Sequence, residues 1–120
     1  MKASEVLEAV AELLSPEGRW TQRVFARNCV GLPINPESPS ATCWCLQGAI
    51  QRIAGENGSI GTLTTIAYAV SAQIPTKEAS ISVWNDRHDR TQQQVVTVAK
   101  LAAARARTRE AAIDNANRTA

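Results

Sequence analysis

Aromatic residues are scarce in this chain of 120 residues: three Trp, one Tyr and one Phe. An interior short of rings must be built from Ala, Val, Leu and Ile, and each Trp becomes conspicuous. Histidine occurs once and cysteine three times. That leaves a zinc site dependent on distant ligands converging, and any disulfide scheme would leave one thiol over. No metal or other cofactor is expected, and the thiols should stay reduced. No apolar run approaches the length of a bilayer span, so no membrane is expected among the partners. The segment from Met1 to Leu14 has acidic residues through its apolar run, which does not suit a signal peptide, and the cytoplasm is the expected compartment. Neither sign of charge dominates: 13 basic and 11 acidic residues leave +2. That balance is too even for a chain living on phosphate electrostatics, and nucleic acid is not an expected partner.

What is present suffices for one domain with a real core, at 44% hydrophobic residues. Residues 4 to 15 read as an amphipathic helix capped by Ser4, with Val6, Val10, Leu13 and Leu14 inward and Ser15 to Gly18 as a turn. Trp20 to Ala26 leans towards strand, and Asn28 to Pro36 reads as a loop. Ser38 to Gly55 is expected to be the central helix, with Ser38 as cap, Pro39 in the first turn and Gly55 past the end. Leu46, Ala49, Ile50 and Ile53 form its buried face. After a connector at Glu56 to Ser59, Ser59 caps a further helix through Leu63, Ile66, Ala67, Val70 and Ile74, ended by Pro75.

Ala79 to Trp84 alternates with period two and is expected to pair, as a strand, with the Trp20 segment. Thr91 and Gln94 make a capping box for a last helix from Gln92 to about Ile113, with residues from Asp114 fraying. Its apolar stripe runs through Val95, Val98, Ala99, Ala102, Ala106 and Ile113. The expected division is a globular domain over 1–104 and an Ala/Arg-rich helical extension over 105–120. That extension gains little alone, so it projects into solvent or docks on a partner. Arg105, Arg107 and Arg109 are the candidate partner-binding residues, and self-association along this helix is a further option. The plain alternative is a solvated face.

Candidate chemistry begins with Cys43 and Cys45. On a helix they stand about 200° apart and cannot share a metal or a disulfide. A thiol near a helix start can be activated, with His88 as base and Asp86 or Asp89 orienting it. The plain alternative is a pair of small core residues. The three Trp each adjoin polar residues. One reading is a shared aromatic and amide-lined cleft formed by Trp20, Thr21, Gln22, Trp44, Trp84, Asn85 and Asp86. The other is that the rings fill the core and Asn85-Asp86 makes a turn.

Trp20-Thr21-Gln22, then Trp44-Cys45-Leu46-Gln47-Gly48-Ala49, then Ser82-Val83-Trp84-Asn85-Asp86 and Arg90-Thr91 before the last helix resemble, in order and spacing, an uncharacterised family. Its members are small single-domain proteins encoded by bacteria and their phages. The resemblance covers roughly Val6 to Ala102 and brings no activity with it. It weights Trp44 and Cys45 above Cys43 and puts His88 in a variable stretch, which weakens a Cys–His pair. The whole reading is a mainly helical α+β domain of about four helices and a small two-stranded element. Its expected function is non-enzymatic binding of a small molecule or protein, as a phage- or mobile-element accessory factor acting on host or defence. A cysteine-dependent hydrolase or transferase and a weak nucleic-acid binder are the alternatives.

Overall fold

A computed structural model describes residues 1–55 and 58–119. The fold is α+β and mainly helical, as expected. The elements in order are α1 (Ala3–Leu14), β1 (Ala26–Arg27), β2 (Cys43–Trp44), α2 (Leu46–Ala54), α3 (Ile60–Ser71), α4 (Ile81–Asn85) and α5 (Gln92–Thr119). Among the described residues, no helix is long and apolar enough to cross a membrane. Glu56 and Asn57 of the expected connector, and Ala120, lie outside the described residues.

The scaffold is an antiparallel pair, α1 against α5. Ala3, Val6, Leu7, Val10, Ala11 and Leu14 recur at three- and four-residue steps and are all buried. They meet Val95, Val98, Ala99, Ala102 and Ala106, the stripe expected of the last helix, where the methyl side chains permit close approach. Gln92 Nε2 donates to the carbonyls of Leu14 and Pro16 at 2.6 and 2.7 Å, satisfying acceptors at the end of α1. Ser4 is not the α1 cap. It lies inside the first turn, buried, and donates through its backbone N–H and Oγ to the Glu110 carboxylate. Arg107 pairs with Glu8. The early part of the expected extension is therefore tied to α1, and α5 continues helical through Thr119 instead of fraying from Asp114. Ile113, placed on the buried stripe, is half exposed. The capping box forms: Thr91 N–H donates to Gln94 Oε1 at 3.0 Å and Gln94 N–H to Thr91 Oγ1 at 3.2 Å.

Two expectations about the middle of the chain are corrected. The central helix begins at Leu46, with Cys45 as its cap, and Ser38 and Pro39 belong to the preceding loop. Cys43 and Trp44, expected in that helix, form β2 antiparallel to β1, with Ala26 opposite Trp44 and Arg27 opposite Cys43. The segment expected to be the second strand is helical. Ser80 Oγ accepts from Val83 N–H at 3.1 Å, and that cap winds Ile81–Asn85 into α4. Its apparent alternation was two apolar residues too few to distinguish the periods. Trp20 to Phe25 contributes only a bridge at Trp20 to the sheet, because the chain bends around Arg23, whose φ is +74°. Gly55 does take the positive φ expected of it, at +54°.

Candidate functional site

The three motif segments converge on the start of α2. Cys45 N–H donates to the Phe25 carbonyl at 3.1 Å, Trp44 N–H to Arg19 O at 2.8 Å, and Thr21 N–H to Trp44 O at 3.0 Å. These bonds fasten the Trp20 segment to β2. Gly48 makes the closest approach possible: a Cβ there would stand 1.9 Å from the Phe25 carbonyl oxygen. Only a residue without a side chain lets α2 lie on that segment.

Asn85 is the centre of the junction and is fully buried. Its Oδ1 accepts from Trp20 Nε1 at 2.8 Å and from Leu46 N–H at 3.1 Å. Its Nδ2 donates to Thr21 O at 3.2 Å and to Asp86 Oδ1 at 3.0 Å. Two N–H groups on one side and two oxygens on the other leave the amide a single orientation. Gln22 Nε2 donates to the carbonyls of Asn85 and Arg87 at 3.0 and 2.7 Å, closing the junction from outside. Asp86 Oδ1 also accepts from Arg23 N–H at 2.9 Å, which holds the left-handed backbone of that residue. Thus Trp20, Thr21, Gln22, Asn85 and Asp86 meet, as the sequence suggested.

The other two rings turn elsewhere. Trp44 Nε1 donates to Pro36 O at 2.9 Å, and the Arg52 guanidinium lies 5.4 Å from its ring centre. Arg52 is fixed there by bonds to the Pro36 and Ser38 carbonyls. Trp84 is buried beneath Arg90, whose guanidinium carbon sits 4.1 Å from the ring centre and whose Nε donates to Trp84 O. Both are cation–π contacts that seal a ring at the surface of the core.

An open cavity of about 690 Å³ adjoins the junction. Its walls are Val24, Phe25, Ile34 and Pro36, with Arg23, Asp86, Ser82 and Gln51 as polar members. Of the residues expected to bind ligand, Asp86 lines it, and the three indoles do not. Phe25 is half exposed, and Val30 and Leu32 on the following loop are more so. Arg23, Phe25, Ile34 and Ser82 were not among the expected site residues. Val24 and Phe25 are consecutive apolar residues, which a half-buried strand's alternation does not accommodate, and that pair was the available signal.

Cys45 Sγ accepts from Gly48 N–H at 3.2 Å, so the thiol is a helix cap. Burial pushes its pKa up, and the nearby Asp86 charge adds to this against the Gly48 hydrogen bond, which works the other way. That is the reverse of what an activated thiol needs. Cys43 sits half-buried on β2, and His88 is exposed on the loop after α4. Among the described residues, no three His, Cys, Asp or Glu side chains gather as a metal site. The Arg triplet of α5 divides: Arg107 faces α1, whereas Arg105 and Arg109 face α3.

The fold and junction define a small α+β domain in which short Trp-bearing motifs lock three segments to one helix start. Residues 1–105 match a family described as a family of unknown function (DUF6197), and the chain belongs to that family. No curated protein and no solved structure matches it.

Proposed function

We propose that this chain is a non-enzymatic binding module, an accessory factor of the kind carried by phages and mobile elements, whose ligand sits in the cavity beside the Asn85 junction. The accessory character rests on the sequence resemblance. The observation that carries the site is Arg23. A non-glycine residue with φ of +74° is strained by about 1 kcal/mol or more, and here it stands on the cavity rim beside Asp86. Glycine would fit that backbone at no cost, so the position gives up stability to keep a guanidinium at the mouth. Such strain collects where a side chain must point in a particular direction. Apolar walls below one cation and one anion suit a small amphiphile with a flat apolar body and a charged or zwitterionic head.

The test is a ¹⁵N-resolved titration with a panel of small aromatic acids, amines and amino-acid derivatives. Binding should move the amides of Arg23 to Ala26, Ile34 and Ser82. The Arg23→Gly variant should be as stable as the parent or more so, yet bind at least tenfold more weakly. If no panel member moves those amides, or Arg23→Gly binds as the parent does, the site is refuted. Cys45 also borders the cavity, but its capped, buried state disfavours the thiol alternative.

A further inference from the structure

α3 has no charged side chain, yet of its twelve residues only Ile66, Ala69 and Val70 are buried. An apolar helix is ordinarily covered on most sides. Here Ile60 and Tyr68 are 85% and 74% exposed, and they share one line with Thr64 by their spacing of four. The distal part of α5 runs alongside, and between the two lies a groove of about 1050 Å³. Ala69, Ala72, Ala106 and Ala112 line it, with Tyr68 on one bank and Arg105 and Arg109 on the other.

No acidic residue lines this groove. Among the described residues, neither Arg105 nor Arg109 has a carboxylate partner. The acids of the same stretch of α5, Glu110 and Asp114, border a separate hollow with Lys2 and Glu8 against α1. Charge is thus sorted across the helix, with unpaired cations on the face that also exposes apolar surface. We infer that this groove docks a helix of a protein partner that presents two carboxylates one turn apart beside a small apolar face. Arg105 and Arg109 are four residues apart, so their Cβ atoms are roughly 6 Å apart, the spacing of a carboxylate pair at i and i+4. The alanines admit close approach of the partner's backbone, and Tyr68 supplies aromatic surface to desolvate. This surface shares no residue with the cavity beside Asn85.

The test titrates the ¹⁵N-labelled full chain with a synthetic Ala/Leu-based helix about 18 residues long, long enough to hold helical structure. One form carries two Glu four apart, and the others carry Gln or Lys at those positions. The Glu form should move the amides of Tyr68, Ala72, Arg105 and Arg109. The Gln form should bind roughly tenfold more weakly, as expected for losing two rim ion pairs, and the Lys form should not bind. The double variant Arg105→Glu/Arg109→Glu, exposed and so not expected to disturb folding, should reverse the preference to the Lys form. Arg105→Gln provides a milder check. Indifference to peptide charge, shifts confined to other surfaces, or a double variant that does not reverse preference would each overturn the inference. So would self-association abolished by Tyr68→Glu, which would make a second copy the occupant. A short DNA duplex moving the same amides more strongly than the Glu peptide would overturn it in favour of phosphate recognition.

Discussion

Replacing Asn85 by Asp changes one NH2 group into an oxygen and nothing in shape, so it isolates what the buried amide does. Oδ1 keeps its two donors, Trp20 Nε1 and Leu46 N–H. On the other side, an oxygen now faces Thr21 O and Asp86 Oδ1, at positions where Nδ2 stood 3.2 and 3.0 Å away. Two hydrogen bonds are lost at about 1 kcal/mol each, partly recovered when the new carboxyl is protonated and donates one. Ionisation would set a second anion beside Asp86 in a buried place, so the folded protein holds the new proton tightly. A pKa raised by two to three units is reasonable for such a site and is worth about 3–4 kcal/mol at neutral pH. The folded pKa lies above the unfolded value, so the variant is least impaired below pH ~4. Its deficit grows by up to about 1.4 kcal/mol per pH unit until the folded pKa is passed. The variant should therefore fall short of the parent by about 1 kcal/mol in acid and about 4–5 kcal/mol at pH 7. That is a large part of the 5–15 kcal/mol typical of a domain. Urea denaturation of both proteins at pH 4, 5.5 and 7 measures the difference. A deficit below about 1 kcal/mol that does not vary with pH would show that the amide is not the junction's centre.

Gly48→Ala tests the contact of α2 with Phe25 and should reverse the ordinary sign of a glycine replacement in a helix. Propensity favours Ala by about 1 kcal/mol, but the steric overlap with Phe25 O should outweigh it, for a net loss of about 2–3 kcal/mol and a Tm lower by roughly 10 °C. Gly61→Ala is the control, because its Cβ would meet only Ser59 Oγ at 3.9 Å; a Gly48→Ala protein as stable as the parent would refute the contact. Native-state iodoacetamide labelling should rank the thiols, with exposed Cys29 fastest and Cys45 slowest, released only on unfolding. Burial raises the Cys45 pKa, so its neutral form should add stability that drains away as pH climbs past the ordinary thiol value, and prompt labelling of Cys45 near neutrality would contradict this.

The helical frame was legible because periodicity over a dozen residues survives local noise. The α1 and α5 stripes and the caps at Ser59 and Thr91 were each readable as local chemistry. The short elements were not. Cys43-Trp44 is a strand only because Ala26-Arg27 lies opposite it, a pairing of residues 16 and 18 positions apart that no local pattern announces. Ala79 to Trp84 looked like a strand because Ile81 and Val83 are two apart, but a five-residue helix is equally served by that placement once Ser80 caps it. The convergence of Trp20, Gln22, Asn85 and Asp86 was anticipated from their attachment to tryptophans. The turn of the buried Trp44 ring towards Pro36 was not, because it depends on where the loop before β2 runs.

The hydrogen-bond tally of the junction separates scaffold from function. Asn85 spends both its donors and both acceptor positions within the chain, Gln22 donates to two backbone carbonyls, and the indoles of Trp20 and Trp44 each have an internal acceptor. Groups engaged in this way have little left for a ligand, and breaking them to bind would expose buried polar atoms at about 1–3 kcal/mol each. The short motifs that mark the chain are therefore instructions for joining three segments, and the cavity proposed above as a binding site lies beside them. Arg23 and Phe25 are carried on a bend that the junction fixes at both ends, by Asp86 at Arg23 and by Cys45 at Phe25. Side chains there can change without disturbing Asn85. A scaffold built this way holds its fold constant while the cavity side chains other than Asp86 are left free of Asn85's hydrogen bonding.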